Sequence, residues 1–209
     1  MYLPTHFKQG NHSELFDLIQ NNPLGSVMVI HAGEIIANHI PFELDVSYGE
    51  LGLLRGHIAK ANPLADIMNQ PLSAYVIFHA DQAYISPSWY EGKQEHHRVV
   101  PTWNYRVVHV QGKIRKIADE KYLRGVLARL TRNHEANQET PWKMGDAPTD
   151  FIEAQLEKVV AIEIEIESMI GKFKVSQNKS QLDAKNIVNA LENSNPEMAE
   201  SIQKYFPKP

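Results

Sequence analysis

Apolar residues recur at intervals of three and four along several stretches of the chain, and this spacing predicts five helices. The first begins at Asn11 or Ser13, whose side chains suit a helix cap, and ends before Pro23. The longest begins after Asp119, and a short last helix follows Pro196. The other two predicted helices lie at residues 62–68 and 184–191.

Alternating apolar and polar residues predict a set of strands at residues 27–30, 34–40, 50–57, 74–80, 82–86, 102–117, 160–167 and 172–175. Ala32 and Gly33 join the first two in a hairpin, and Asp81 separates the fourth from the fifth. Six or more antiparallel strands with helices interspersed and at the end favour a mainly β fold with peripheral α-helices, a small barrel, over a doubly wound sheet.

Three carboxylates, Glu163, Glu165 and Glu167, alternate with apolar residues along one of these strands. Such a set invites a catalytic interpretation. Carboxylates on the same face of an alternating strand are, however, typical of its solvated side. We therefore expect all three to be exposed and to have no catalytic role.

Composition favours one domain over residues 1–209, because 43% hydrophobic residues supply one sizeable core and no low-complexity linker divides the chain. The absence of cysteine excludes disulfides and thiolate metal sites and is compatible with a reducing compartment. No apolar run is long enough for a membrane span, and no signal region is evident, so we expect a cytoplasmic protein. A net charge of -4 gives no general attraction to nucleic acid, so DNA contact would need a local basic patch.

A polar and aromatic cluster opens the long strand predicted after Pro101. Trp103 and Tyr105 each offer a flat apolar face with one polar group, and Asn104 offers two donors and an acceptor. This combination suits a planar heteroaromatic ligand, although the same aromatics would also suit the edge of a hydrophobic core. Gly112, further along the strand, permits a bulge or a close backbone approach.

Three other segments carry candidate binding groups. Residues 55–63 place Lys60 and Asn62 between a strand and a helix, which is typical of phosphate binding, although Lys60 could be a solvated lysine and Asn62 only a helix cap. Residues 84–90 combine two serines with three aromatics, and residues 171–179 form a basic strand followed by polar side chains. No glycine-rich phosphate loop joins a strand to a helix, so a Rossmann-type dinucleotide site has no support.

These motifs, in order along almost the whole chain, resemble the PaiB-type family of FMN-binding negative transcriptional regulators. The resemblance is carried by residues 1–7, 56–63, 84–90, 100–112, 134–136, 141–142, 146–148 and 172–178. It implies an FMN-binding split β-barrel, an antiparallel Greek-key barrel of six strands with flanking helices, related to pyridoxamine phosphate oxidases and flavin reductases. It also implies a homodimer with FMN at the subunit interface.

The resemblance also implies which residues contact FMN. On the phosphate side it places His57, Lys60 and Asn62. Around the flavin ring it places Trp103, Asn104 and Tyr105, with Ser86, Ser88 and Trp89 nearby. From the late strand it adds Lys174, Ser176 and Gln177. Where the family has a glycine-containing stretch, this chain has residues 95–98, Glu-His-His-Arg, which we expect to alter the pocket rim or the dimer contact.

Two function classes stay open at this stage, a regulator and a flavin-dependent oxidoreductase. No helix-turn-helix with a basic face is evident, and the arginine-bearing helix after Asp119 is the best candidate for DNA phosphate contact. No nucleophile lies beside a base, but a flavin reductase needs neither. Ten histidines raise a metal or haem hypothesis, because related split barrels include haem-degrading proteins; their spacing argues against a preformed metal site.

Overall fold

A computed structural model of the chain describes residues 1–95 and 97–206. Its helices are α1 His12–Asn21, α2 Pro63–Ile67, α3 Gly92–Glu95, α4 Glu120–Glu135, α5 Thr149–Leu156, α6 Gln181–Leu191 and α7 Pro196–Tyr205. Its strands are β1 Lys8–Gln9, β2 Leu24–His31, β3 Glu34–Pro41, β4 Glu43–Asp45, β5 Leu53–Ala59, β6 Leu72–Ile85, β7 Thr102–Ile117 and β8 Val159–Lys174.

The strands form one eight-stranded sheet in the order β3-β2-β6-β7-β8-β5-β4, with β1 paired to β8. β2 pairs antiparallel with β3 and β6, and β5 pairs antiparallel with β4 and β8. The predicted mainly β fold with peripheral helices is confirmed. The sheet has eight strands rather than six because β1 and β4, of two and three residues, are too short for alternation to reveal them.

Two strands are longer than predicted. Asp81 was expected to separate two strands but lies inside the continuous strand β6. Its carboxylate is buried and accepts a hydrogen bond from Arg106 Nε at 2.5 Å, which compensates for placing a charge in the sheet. The two strands predicted at residues 160–167 and 172–175 are likewise one strand, β8, in which Gly171 lets Leu15 of α1 pack against the backbone.

The expectation for the three strand glutamates was wrong at one of them. Glu165 and Glu167 are exposed as predicted, but Glu163 is buried. Its carboxylate accepts hydrogen bonds from Arg115 Nε at 2.6 Å and from the Tyr122 hydroxyl at 2.7 Å. Both partners lie more than 40 residues away in sequence, so local alternation held no sign of them.

The helix predictions hold for α1, α2, α4, α6 and α7. Two helices, α3 and α5, were not predicted, because they are short and carry little periodic apolar spacing. The close backbone approach expected at Gly112 is present, since a Cβ atom there would lie 2.1 Å from the Glu165 carbonyl oxygen. Among the described residues, no helix is both long and apolar enough to span a bilayer.

The chain divides into two compact units, each built from several segments. The first comprises residues 1–15, 79–108 and 170–209, and the second comprises residues 16–78 and 109–169. The chain therefore passes from one unit to the other four times, once within α1 and once within each of β6, β7 and β8. A single domain over residues 1–209 stays a prediction.

Each unit has its own apolar core. In the first, α6 and α7 contribute Ile187, Leu191 and Met198 to a cluster that includes Ile85 of β6. In the second, Leu123 of α4, Leu156 of α5 and Ala161 of β8 form a smaller cluster. Residues of β6 and β8 belong to these cores, so packing fixes the strands that lie next to the predicted binding residues.

Candidate functional site

One surface of the first unit combines exposed aromatic rings with lysines. We call it the aromatic–lysine face and define it by Tyr84, Trp103, Tyr105, Lys172 and Lys174. Side chains two residues apart on a strand point to the same side, which is why Trp103 and Tyr105 of β7 share this face, as do Lys172 and Lys174 of β8. The Tyr84 and Trp103 rings meet edge to face, 6.0 Å between centroids.

Two of the three rings of this face lie open to solvent. Trp103 is 55% exposed and Tyr84 is 48% exposed. Large aromatic side chains left in water next to each other form an apolar patch that a ligand or partner can cover. Tyr84 lies in β6 and Trp103 lies in β7, and strand residues are held more rigidly than residues of a long loop.

The lysines of this face have no carboxylate partner among residues 1–95 and 97–206. Lys172 is only 8% exposed, and its ammonium group donates to the Tyr2 carbonyl oxygen at 3.1 Å and lies 5.4 Å from the centre of the Tyr105 ring. Lys174 donates to the Thr102 hydroxyl at 2.5 Å and to the Trp103 carbonyl oxygen. One buried and one half-buried ammonium group without a counter-ion make this site positive.

The pKa of Lys174 reflects the same environment. Burial lowers the pKa of this ammonium group, and the neighbouring charges of Lys172 and Lys179 lower it further. A bound anion would reverse the second effect, because an opposite charge nearby favours the protonated lysine. The face is therefore suited to a ligand that is both aromatic and negatively charged.

A buried hydrogen bond supports this face from within the same unit. The Asn104 amide donates to the Ser176 hydroxyl at 2.9 Å, and both side chains are buried. Gln177 secures the turn after β8, since its amide donates to the Phe173 carbonyl at 2.5 Å and its oxygen accepts from Val175 N at 2.8 Å. Asn104, Ser176 and Gln177 thus order the site, with their polar groups already engaged.

The predicted serine and tryptophan cluster forms a short 3₁₀ turn at residues 87–89. Ser86 caps it by accepting a hydrogen bond from Ser88 N at 3.2 Å, and the Ser88 hydroxyl accepts from Lys93 at 3.3 Å. Trp89 packs against the core of the first unit. Ser88 is the exposed member of the three.

The residues predicted to hold the phosphate belong to the second unit. Asn62 caps α2, because its side-chain oxygen accepts from Leu64 N at 2.9 Å and its amide donates to Asn38 at 2.7 Å. Lys60 is exposed at the wall of a cavity of about 430 Å³, where the other cation is Arg124. The same cavity is lined by the carboxylate residues Asp119, Glu120, Glu153 and Glu157, so its charge is mixed.

His57 differs from the other predicted residues in having an unpaired polar atom. Its Nδ1 is buried with no hydrogen-bond partner. Burial lowers the pKa of the imidazole, so the ring is neutral at pH 7. A neutral ring is a weaker phosphate partner than an imidazolium.

The structure thus gathers nine of the twelve predicted residues in the first unit and three in the second. The role of each in FMN binding stays a prediction. Sequence reasoning placed Tyr84 and Lys172 in the candidate segments 84–90 and 171–179 without assigning either to FMN, and it gave Thr102 no role. The available signal was strand periodicity, which places Lys172 on the same side as Lys174. No group of three or more metal-ligating residues occurs in the part of the chain that the structure describes.

Comparison with known proteins identifies the family. A family profile described as "Putative FMN-binding domain" matches residues 1–168. The chain belongs to this family. The resemblance to the PaiB type is confirmed by the Bacillus subtilis protein "Protease synthase and sporulation protein PAI 2", which is 30% identical over 212 residues and aligns with 100% of this chain and 99% of its own length. An uncharacterised protein of Emericella nidulans is 33% identical, with 92% of this chain and 91% of the relative aligned.

Solved structures confirm the fold class. The FAD and heme binding protein from Mycobacterium smegmatis matches with a TM-score of 0.59 and 20% identity, over 80% of this chain and 73% of that chain. The flavocytochrome Anf3 from Azotobacter vinelandii matches with a TM-score of 0.55 and 14% identity, over 80% of this chain and 69% of that chain. The fold is that of the flavin-binding split-barrel family, and the cofactor of the family is FMN.

Proposed function

We propose that this protein is a negative transcriptional regulator of the PaiB type that binds FMN, acts as a homodimer and works in the cytoplasm. The observation that carries the cofactor part is the aromatic–lysine face, which joins exposed rings to cations without counter-ions. The regulatory part is supported by full-length similarity to the Bacillus subtilis "Protease synthase and sporulation protein PAI 2", whose name refers to sporulation. The absence of cysteine is consistent with a reducing cytoplasm.

The residues of the face fit the two chemical parts of FMN. Trp103 and Tyr84 present apolar ring surface for a flat heteroaromatic system, and Lys172 and Lys174 present positive charge for a phosphate. When bound, FMN supplies a redox-active ring. Lys60 and Asn62 are the second candidates for the phosphate side, and His57 is the third.

Two of the three arginines of α4 are poorly placed for DNA. Arg124 pairs with Glu120 at 2.7 Å, and Arg129 pairs with Glu43 at 2.7 Å. Engaged guanidinium groups offer fewer free donors to a phosphate backbone. The proposal therefore assigns no DNA contact to these two arginines, and direct DNA binding is an outcome of the test below.

The cofactor part is tested by titrating FMN into the purified protein and following flavin fluorescence. We expect Lys174→Met to weaken FMN binding by about tenfold or more, because one charge-assisted contact is lost. The matched variant Lys60→Met separates the two cation candidates. Unchanged affinity in Lys174→Met together with a loss in Lys60→Met would move the phosphate to the second unit.

The regulatory part is tested with the FMN-loaded protein. We expect light scattering to give the mass of a dimer. We also expect a gel shift on the promoter of a gene that the protein represses in vivo, and we expect this DNA binding to weaken as salt is raised. Anaerobic mixing with NADH and NADPH tests the alternative. Rapid bleaching of the flavin band without any gel shift would identify a flavin-dependent oxidoreductase.

A further inference from the structure

The second unit has a cavity of about 290 Å³ whose lining includes His57, the third candidate for the phosphate side of FMN, and none of the other proposed FMN residues. It lies beside β5, α4, α5 and the segment between the two helices, and its apolar lining is Leu127, Trp142, Met144, Phe151, Ile152 and Leu156. Ligand pockets typically enclose about 300–1,000 Å³. This cavity is at the lower limit, which suits a molecule of one or two rings.

The charge of the lining is one-sided. Among the described residues that line it, Lys158 is the only charged one, and the remaining polar members are His57, Thr131 and Gln155. That lining includes no carboxylate, in contrast to the cavity beside Lys60, although the Glu135 carboxylate contacts the backbone of Trp142. Complementarity therefore favours a ligand with an apolar body and one negative charge.

His57 supplies an unmet hydrogen-bonding capacity at this cavity. Its buried Nδ1 has no partner, and no hydrogen bond holds its ring among residues 1–95 and 97–206. Buried polar atoms are nearly always paired in native proteins, so an unpaired one calls for a partner. Burial also lowers the pKa of the imidazole, which leaves one nitrogen as a donor and the other as an acceptor.

The backbone that carries Trp142 is ordered, and the two aromatic rings of the lining are exposed. Trp142 is 43% exposed and Phe151 is 53% exposed. Trp142 N donates to a Glu135 carboxylate oxygen at 2.9 Å, and the next turn is closed by Lys143 N donating to Asp146 at 3.0 Å. The segment between α4 and α5 is thus ordered before any ligand binds, which reduces the entropy cost of binding.

We propose that this cavity binds a small aromatic carboxylate, with its ring among Leu127, Trp142 and Phe151 and its negative charge towards Lys158. The site is separate from the aromatic–lysine face and gives the protein a second ligand besides FMN. It does not depend on the proposed regulatory role.

The test uses the FMN-loaded full-length protein and isothermal titration calorimetry with two probes, 1-naphthoate and its uncharged analogue 1-naphthamide. We expect saturable 1-naphthoate binding that is stronger than 1-naphthamide binding. Lys158→Gln and Gln155→Glu should each weaken 1-naphthoate binding by roughly threefold or more at low salt while leaving 1-naphthamide unchanged. Trp142→Ala should weaken both probes by about tenfold.

Lys121→Gln is the matched control, because Lys121 is an exposed lysine of the same unit outside the cavity lining. Lys158 and Gln155 are exposed as well, so their variants keep the fold intact. Three results would overturn the proposal: no saturable 1-naphthoate binding below millimolar concentration, equal binding by Lys158→Gln and the parent protein, or competition between 1-naphthoate and FMN. If FMN does not bind, the same titrations are run on the FMN-free full-length protein, and 1-naphthoate binding there as expected would overturn only the proposed function.

Discussion

The ammonium group of Lys172 lies 5.4 Å from the centre of the Tyr105 ring and has a second ring, that of Tyr2, at 5.7 Å. These two rings and one carbonyl oxygen replace the carboxylate that a buried lysine normally requires. The ammonium group therefore lies inside the protein without an anionic partner among the described residues.

This relationship predicts opposite effects on stability and binding. Lys172→Met should raise the free energy of unfolding of the FMN-free protein by about 1 kcal/mol or more, because an unpaired buried charge is replaced by an apolar group of similar volume. The same change should weaken FMN binding by about tenfold. Urea denaturation and FMN fluorescence measure the two effects. Lys185→Met, at an exposed position of α6, is the control, and a fall in both quantities for Lys172→Met would contradict the assignment.

The buried pair of Asn104 and Ser176 predicts a loss of stability when either partner is removed. Asn104→Ala should lower the free energy of unfolding by about 1–3 kcal/mol, because the Ser176 hydroxyl loses its partner inside the protein. A double-mutant cycle with Ser176→Ala measures the coupling between the two side chains.

Ser176 also has a left-handed backbone, with φ of +66°. Ser176→Ala and Ser176→Gly both lose the hydroxyl, but only glycine adopts this conformation without steric cost. We expect the glycine variant to be more stable than the alanine variant by about 1 kcal/mol, measured by urea denaturation. Equal stabilities would show that this backbone conformation carries no strain.

Gly112 predicts a large steric effect. A Cβ atom at this position would lie 2.1 Å from the Glu165 carbonyl oxygen and 2.9 Å from Ile164 Cγ2. Gly112→Ala should therefore lower the free energy of unfolding by about 3 kcal/mol or more, because the backbone of β8 must move. Gly10→Ala is the matched control, since no atom lies within 4 Å of a Cβ there. A melting temperature that falls equally in both variants would refute the steric argument.

Tyr122 predicts a loss of stability at alkaline pH. Burial and the hydrogen bond to Glu163 raise the pKa of this hydroxyl from 10.0 to about 12. Between these two values the unfolded chain loses the Tyr122 proton while the folded chain keeps it, so folding becomes less favourable as pH rises. The contribution is fully present below pH 10.

Tyr122→Phe should remove this component of the pH dependence, and the difference between the variant and the parent protein isolates it from other titrating groups. Urea midpoints measured from pH 8 to pH 12 provide the check. Parallel curves for the two proteins across this range would contradict the raised pKa.

Much of the secondary structure could be predicted from the sequence because neighbouring residues determine it. β7 was predicted at residues 102–117 and is found there, since buried and more exposed residues alternate from Val108 to Arg115. α2 was predicted because an asparagine cap precedes a proline, and both play those roles. β6 was predicted as two strands because Asp81 looks like a break unless its distant partner Arg106 is known.

The sequence predicted residues of the candidate site correctly only where a residue of a recognised motif is also exposed in the structure. Trp103 and Lys174 were predicted and lie on the aromatic–lysine face, whereas Asn104 was expected to contact ligand and is buried against Ser176. Lys172 lay in the candidate segment 171–179 but was not assigned to FMN, because its importance depends on the absence of a carboxylate partner among the described residues and on the rings of Tyr2 and Tyr105. Long-range contacts of this kind leave no local pattern.

The repeated passage of the chain between its two units has a consequence for how the protein can be divided. Three of the four passages lie inside hydrogen-bonded strands and the fourth lies inside α1, so no exposed linker joins the units. Neither unit corresponds to a continuous stretch of gene, and neither can be cloned as one fragment or released by a protease at a single peptide bond. Insertions during evolution are therefore tolerated best in the connecting loops, because a one-residue insertion in β6, β7 or β8 would shift side chains to the wrong face in both units.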